Sequence, residues 1–529
     1  MNVLPRWRSL DALAGLLAFA MAAAFAELIA ALFIVVLPNI AVGDAVIRLA
    51  PVGAVRFAIS TFGTYDKPVL LGVIALITLF FGALVGMAAR TRPDVTTFGF
   101  ALWWAVCSAA VWAGQTSAVA AATIIGAAGA AGWVVLNQML ARIPTDTRPV
   151  DASTDSMLAN DPRRRTPDRR AFFAFAAASA GASVVAMVGA RRLGGAYVDV
   201  EASRRSITLP SARLPLPAVP PSAALDTPGI SPLITPNAEF YRIDTALSVP
   251  RVDIEQWRLR ITGMVERPQE FTYAELAAMP VEEADVTLTC VSNEVGGRLL
   301  GNARWLGIPL PALLERAGVR AGATQIVGRS VDGFTAGFPT EVALDGRAAM
   351  VALAMNGEVL PTEHGFPVRL VVPGLYGYVS ATKWLAEIQL TTLEAFDPYW
   401  IPRGWSRLGP IKTQSRIDVP LGRKTIVAGR TPIAGVAWGG IRSISKVEVR
   451  VVPANAKDDG PWLPARLGDA LSQSTWRQWV VEWDALPGEY DITVRATDGT
   501  GVTQPADRVA PAPSGATGWH TVRVTVRGA

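Results

Sequence analysis

Five apolar runs crowd the first 190 residues of this 529-residue chain, and no other feature constrains its fold as much. They occupy roughly 12–38, 69–87, 97–114, 117–139 and 171–190. About 20 apolar residues suffice for a helix to cross a bilayer, where lipid offers the backbone no hydrogen-bond partner. The basic flanks set an orientation. Arg6 and Arg8 precede the first run, and Arg90 and Arg92 separate the second from the third. Arg142, Arg148, Arg163, Arg164, Arg165, Arg169 and Arg170 lie between the fourth and fifth. If all five runs span, these clusters share one side, which the positive-inside bias makes the cytoplasm. Everything after about residue 195 is then expected outside, in a multi-pass protein of the cell membrane.

The fifth run opens Asp168-Arg169-Arg170-Ala171-Phe172-Phe173 and is rich in Ala, Gly and Ser. Arg191 and Arg192 follow it on the expected outer side, against the charge bias. One reading is an ordinary last helix with basic flanks. The other is a partial twin-arginine export signal, with Asp168 in place of the usual Ser or Thr, kept as an anchor. Such a signal moves folded cargo, as a cofactor loaded in the cytoplasm requires.

The length implies roughly three domains. The expected order is an all-α transmembrane bundle over 1–195, a Pro- and Ala-rich linker over 196–235, an α+β domain over 236–405 and an all-β sandwich over 410–529. A net charge of +5 is small, and no basic cluster alternates with aromatics, so nucleic acid is not an expected partner. Both histidines, His364 and His520, lie outside the apolar runs, which excludes a bis-histidine haem in the bundle. Glu27 is costly in lipid. It is a candidate for contact with a quinone or a partner, or a residue at a helix–helix contact.

Beyond residue 236, 257–261 alternates as a strand and 271–279 reads as a short helix. Thr272 is its N-cap and Glu275 completes a capping box. Residues 285–289 form a strand that delivers Cys290 at its end. A second short helix covers 311–317, with Gly318 as its stop, and 368–372 is a buried strand. After about 410 short alternating runs follow at 425–428, 433–437, 445–452, 478–482, 490–496 and 521–526. Their spacing predicts an immunoglobulin-like sandwich held by packing alone.

The chain has two cysteines, and Cys107 lies inside an apolar run. Cys290, in Leu288-Thr289-Cys290-Val291-Ser292-Asn293, therefore has no intrachain disulfide partner. His364-Gly365-Phe366-Pro367-Val368-Arg369 follows it downstream. A lone thiol at a strand end, with a His and an Arg in fixed context, reads as a cofactor ligand. Cys107 reads as a small apolar helix residue, His520 as structural, and Trp257, Trp305, Trp384, Trp476 and Trp479 as core.

These stretches occur in a consistent order with Thr235-Pro236-Asn237, Phe240-Tyr241, Arg304-Trp305-Leu306-Gly307, Met355-Asn356-Gly357, Val372-Pro373-Gly374, Lys383-Trp384-Leu385, Arg495-Ala496-Thr497-Asp498 and Gly518-Trp519-His520. Together they resemble the sulfite-oxidase-like family of molybdopterin enzymes over roughly 230–527. The resemblance implies that Cys290 binds molybdenum. It implies that His364, Arg369 and Lys383 bind the pterin and its phosphate, with N–H donors from Ala381, Thr382 and Lys383. Asn237, Tyr241 and Arg242 match cofactor-contacting positions, and the C-terminal sandwich matches the family's dimerisation domain. The cofactors implied are molybdenum and molybdopterin. The partners implied are a small-molecule substrate and an electron carrier linked to a cytochrome or quinone. The oligomeric state stays open.

The chain departs from sulfite oxidases where they surround a dianion with arginines. Ile243 and Val295 stand at two such positions, and Pro511-Ala512-Pro513-Ser514-Gly515 lies near a third. Arg242, Arg298 and Arg508 are the nearest cations. A sulfoxide or N-oxide is therefore expected as substrate, in two-electron oxygen-atom transfer. A sulfite oxidase and a non-catalytic binding protein that keeps the fold are the alternatives.

Overall fold

The computed structural model describes residues 8–33, 37–62, 65–112, 118–143, 169–193, 199–213, 215–454, 456 and 460–528. Arg6, Arg148, Arg163, Arg164, Arg165 and Asp168, used above for orientation and export, lie outside these residues. So do 196–198 and Leu214 of the expected linker. The chain divides into two compact units. One is Met1–Asp199 with Ala246–Ser248, and the other is Val200–Thr245 with Val249–Ala529.

The first unit contains α1 (Arg8–Leu32), α2 (Pro38–Leu49), α3 (Val52–Phe62), α4 (Asp66–Ala89), α5 (Asp94–Trp112), α6 (Ala118–Leu140) and α7 (Arg169–Leu193). Five of them, α1 and α4 to α7, are long and apolar enough to cross a membrane. The first apolar run does not continue as one helix to Pro38. Helix α1 ends at Leu32, and Pro38 opens α2, where a missing N–H costs nothing. Helices α2 and α3 carry no spanning-length run, so hydropathy alone did not show them.

Helix α1 is the centre of the bundle: Ala14, Ala18, Phe19, Ala22 and Ala26 are fully buried. Small residues let the backbones close up, since a Cβ on Gly15 would lie 2.0 Å from Gly82 O. The Phe19 ring stacks on Phe100 at 4.2 Å. Asp11, buried in α1, accepts from Arg90 Nη2 at 2.8 Å. Glu27 accepts the Asn39 N–H at 2.9 Å, satisfying an orphan donor of the first turn of α2. Leu76, Ile77 and Phe80 of α4 stay exposed, an apolar surface that suits lipid.

The second unit opens with α8 (Val200–Ser206). The stretch expected as a free linker is instead docked. Arg213 N–H donates to Val281 O (2.9 Å), Leu225 N–H to Gln478 Oε1 (2.6 Å) and Thr235 N–H to Asn302 O (2.8 Å). The reason is hydrophobic: Ala223, Leu225 and Leu233 are buried between the prolines.

There follow β1 (Leu259–Gly263), β2 (Gln269–Phe271), α9 (Tyr273–Ala277), β3 (Glu282–Thr289), β4 (Leu300–Pro309), α10 (Leu310–Ala317), β5 (Gln325–Ser330), β6 (Thr335–Pro339), β7 (Met350–Met355), β8 (Glu358–Val359), β9 (Arg369–Val371), α11 (Gly377–Ser380) and β10 (Leu385–Thr391). They build two sheets. One has the order β2-β1-β10-β5-β6, and the other β3-β4-β7-β8 with β9 on β7. The Thr272 capping box is present, and α10 stops at Gly318 with φ +68°.

The C-terminal strands are β11 (Gln414–Val419), β12 (Thr425–Val427), β13 (Gly429–Trp438), β14 (Ile444–Pro453), β15 (Leu463–Pro464), β16 (Arg466–Leu467), β17 (Arg477–Ala485), β18 (Gly488–Asp498) and β19 (His520–Arg527). They form a four-stranded sheet, β11-β13-β17-β16, and a five-stranded one, β12-β19-β18-β14-β15. Ile433 and Trp479 from the first meet Val447, Ile492 and Val494 from the second in one buried cluster. That makes a two-layer sandwich with alternating inward side chains, as the sequence pattern predicts.

Candidate functional site

Strand β3 pairs with β4 from Glu282↔Gly307 to Thr289↔Leu300, so Cys290 leaves the sheet at the first residue past the ladder. Its N–H still donates to Leu299 O at 2.9 Å. The loop then turns, with Asn293 N–H on Cys290 O (3.1 Å) and Leu299 N–H on Asn293 Oδ1 (2.8 Å). Burial pushes the Cys290 thiol up, and donation from the Ser292 N–H and hydroxyl opposes this. Coordination to a metal would deprotonate it outright.

The next wall comes from the loop between β8 and β9. His364 is buried, and its Nε2 lies 2.9 Å from Asn237 O. Burial lowers its pKa to about 4, so the ring is neutral and Nε2 carries the proton it donates. Gly365 follows at φ +115°, where a Cβ would come 3.1 Å from both Arg369 Cβ and Lys383 Cα. Arg369 Nη1 donates back to His364 O at 3.0 Å, and the guanidinium lies 5.1 Å from the Trp305 ring. Phe240 packs edge-on to both His364 (5.5 Å) and Trp305 (5.9 Å), and stacks on Tyr241.

Tyr241 is close enough to Cys290 and Arg369 for their charges to act on it. Burial raises its pKa far above the usual phenol value; Cys290 adds to the rise and Arg369 opposes it. Its hydroxyl borders Gly377, where a Cβ would lie 3.7 Å from Tyr241 Oη and 3.9 Å from Thr289 O. The structure thus gathers Cys290, Tyr241, His364 and Arg369.

Several other sequence candidates meet partners within the protein. Lys383 Nζ donates to Asp244 Oδ2 (2.9 Å) and Glu363 O (3.1 Å), and Arg242 Nε reaches the same Asp244 oxygen at 2.9 Å. Two expected cofactor cations therefore share one buried carboxylate. Burial lowers the Lys383 pKa to about 8, against the pull of Asp244. The Ala381 N–H is not free for a ligand, because it donates to Gly377 O (3.0 Å) as the cap of α11. Among the described residues, the N–H groups of Thr382 and Lys383 meet no protein acceptor. Asn237 is held by its own amide, which donates to Met355 O (3.2 Å) and accepts from Asn356 (2.8 Å).

Three features mark the site as built for a ligand. Arg369 is 5% exposed and has no carboxylate partner among the described residues; burial lowers its pKa to about 10. Thr289 Oγ1 and Asn293 Nδ2, on either side of Cys290, are buried without partners. Such orphans are rare in folded proteins unless something fills their hydrogen bonds. Among the described residues no three His, Cys, Asp or Glu side chains cluster. A metal here would rest on one thiolate and on donors a cofactor brings. The residues present fit an anionic pterin dithiolene carrying the metal.

Sequence reasoning missed Tyr376 and Asp244. Tyr376 is 1% exposed, its Oη accepts the Lys412 N–H (3.3 Å), and burial, with Cys290 adding, raises its pKa to about 12. Its signal was the aromatic pair after Val372-Pro373-Gly374. His520 is structural, as expected: Nδ1 accepts the Ile417 N–H at 3.0 Å, and the ring fills the space over Gly296. Cys107 and the five tryptophans named above are buried.

Comparisons with known proteins point to one family. The family model described as Oxidoreductase molybdopterin binding domain matches residues 246–400, which contain Cys290, His364, Arg369 and Lys383 but not Asn237, Tyr241 or Arg242. The mitochondrial sulfite oxidase of Mus musculus is 30% identical over 383 residues, covering 62% of this chain and 67% of that protein. That of Macaca fascicularis is 30% identical over 346 residues, covering 55% and 62%. The chain thus spans less than two thirds of the macaque protein's length. Nitrate reductase [NADH] of Solanum lycopersicum is 28% identical over 49% of this chain and 34% of that one. The crystal structure of the sulfane dehydrogenase SoxCD from Paracoccus pantotrophus has a TM-score of 0.47 and 23% identity, covering 62% of this chain and 90% of that chain.

Proposed function

The chain belongs to the sulfite-oxidase-like family of molybdopterin oxidoreductases, and from that premise we propose a membrane-anchored, extracytoplasmic enzyme acting on a small neutral oxide, a sulfoxide or an N-oxide. In this reading the five apolar helices anchor the chain, α7 begins at a twin-arginine signal, and the sandwich is immunoglobulin-like. When bound, molybdopterin supplies two-electron oxygen-atom exchange at its molybdenum; a cytochrome- or quinone-linked carrier takes or gives the electrons singly.

The chain's own residues do the rest. Cys290 holds the metal through a soft thiolate donor. Arg369 meets the cofactor's anionic part with a planar fork, which relieves its own uncompensated burial. The N–H groups of Thr382 and Lys383 add donors. Lys383 and Arg242 fix the wall by sharing Asp244, which offsets one of their two positive charges. Tyr241 stays protonated at any working pH and can only donate its proton into a hydrogen bond or accept one. Neutral His364 anchors its loop on Asn237.

The observation that carries the substrate reading is charge. Arg242 is tied to Asp244, Val295 is a buried apolar residue, and Ile243 brings no cation. A dianion in such a pocket would be left short of counter-charge, at a cost of several kcal/mol. A second reading, sulfite oxidation, is favoured by the 30% identity to the mouse enzyme and by Arg298, exposed and without a partner among the described residues.

Metal analysis and steady-state kinetics test this. Molybdenum near one per chain is expected, with an electron paramagnetic resonance signal from Mo(V) that Cys290→Ser alters while the fold survives. Sulfite is expected to turn over at least ~100-fold less efficiently than methionine sulfoxide or trimethylamine N-oxide, the loss of one or two charged hydrogen bonds. Efficient sulfite turnover would establish the second reading, and a matured sample without molybdenum would leave a binding protein.

A further inference from the structure

The loop between β8 and β9 presents His364 to the site, yet no strand ladder supports it. Its carbonyls are held one by one. Thr362 O accepts Trp384 Nε1 (2.7 Å), Glu363 O accepts Lys383 Nζ (3.1 Å) and His364 O accepts Arg369 Nη1 (3.0 Å). Two of those donors, Lys383 and Arg369, belong to the site described above. The other end of the loop is held by α8. Arg204 sends Nε to Leu360 O and Nη2 to Val359 O, both at 2.9 Å. Its Nη1 donates to Glu201 Oε2 (2.6 Å), and Glu201 Oε1 accepts the Thr362 hydroxyl at 3.2 Å.

We propose that α8 is a strap on the cofactor loop, in which Arg204 and Glu201 are positioning residues that set how firmly the site retains molybdopterin. This rests on the cofactor reading above. A helix of seven residues is not stable alone, so α8 exists because it is docked. Val200 is buried, and the Arg204 side chain is only 18% exposed. A planar fork spans two successive carbonyls while a third nitrogen meets Glu201; an ammonium on a flexible stem cannot repeat that geometry. The pairs are short-range and mutually supporting. Glu201 orients Arg204 from one helical turn away and touches Thr362 with its other oxygen. Helix α8 is also the first element of its unit.

The test uses purified full-length holoenzyme. Arg204→Ala removes both carbonyl contacts, Arg204→Lys keeps at most one, and Glu201→Gln keeps the Thr362 contact but not the charge. Arg205→Ala, on an exposed neighbour, is the control. Pterin release is followed by the fluorescence of the freed, oxidised pterin. Hydrogen exchange of residues 359–368 and the Mo(V) line shape are read on the same samples. Release is expected to quicken roughly tenfold in Arg204→Ala, the worth of one to two net hydrogen bonds, and less in the other two variants. Exchange in 359–368 should rise in step, with Arg205→Ala matching wild type. If Arg204→Ala does not fold, the ranking of Arg204→Lys and Glu201→Gln against wild type decides. Wild-type release and exchange in all strap variants would overturn the strap and leave the cofactor reading intact. A wild-type protein without pterin would overturn both.

Discussion

Arg369 lies buried over Trp305 with backbone carbonyls as its acceptors, His364 O the nearer at 3.0 Å. A guanidinium placed there without a counter-ion costs several kcal/mol, which an anionic ligand would offset. Arg369→Lys keeps the charge and loses the fork. Pterin retention is expected to fall about tenfold or more, while denaturant unfolding of the pterin-free protein changes little. Equal retention would remove Arg369 from the cofactor's anionic contact. At this scale the place of Cys290 at the end of a strand was legible, because strand alternation is a local feature. The pairing of Lys383 was not: its charge is met by Asp244, 139 residues earlier. Nothing in linear order marks Asp244 as a partner, and only the fold brings the two together. The Ala381 N–H failed for a smaller reason, since a short helix cannot be seen in four residues and its cap uses that donor.

Among the elements, those with local chemical signals were read correctly. Helix α9 has its capping box, α10 has proline at its start and glycine at its stop, and the apolar runs became long helices. Elements whose reason lies in tertiary contacts were not. Helices α2 and α3 fall below spanning length, and α8 sits in a stretch that reads as linker. The pair between α1 and α4 belongs here too. Arg90 reads in the sequence as an orientation charge, but it forms a salt bridge with Asp11, which is 3% exposed. Breaking such a pair by removing one partner strands a buried charge, which costs about 3–5 kcal/mol. Arg90→Ala is therefore expected to destabilise the helical unit strongly in detergent. Asp11→Ala combined with Arg90→Ala should recover most of the loss. A double variant as unstable as the single one would mean that the pair's role is packing rather than charge.

On the scale of the whole second unit, the sandwich was legible and its attachment was not. Strand alternation gave the sheets, but the contacts that join the sandwich to the loop after Cys290, such as Arg416 Nη1 to Gly297 O at 2.8 Å, depend on the fold. His520, the first residue of β19, accepts the Ile417 N–H at Nδ1 and packs on Gly296 in the loop after Cys290. Burial, with Arg416 adding, lowers the pKa of His520 to about 4 from an ordinary 6.5. Protonation would put a hydrogen on the nitrogen that must accept. Below pH 6.5 the unfolded chain takes up this proton, while the folded one resists until about pH 4. The group's contribution is therefore whole above pH 6.5, declines as pH falls through the window and is gone below about 4. The shift sets a ceiling of about 3 kcal/mol on it. His520→Asn offers an amide oxygen near the position of Nδ1 and cannot titrate. Denaturant unfolding, followed by tryptophan fluorescence, should show the wild type losing up to that much more stability than His520→Asn between pH 7 and pH 4. Parallel losses in the two proteins would mean that His520 is not the group that joins sandwich stability to pH.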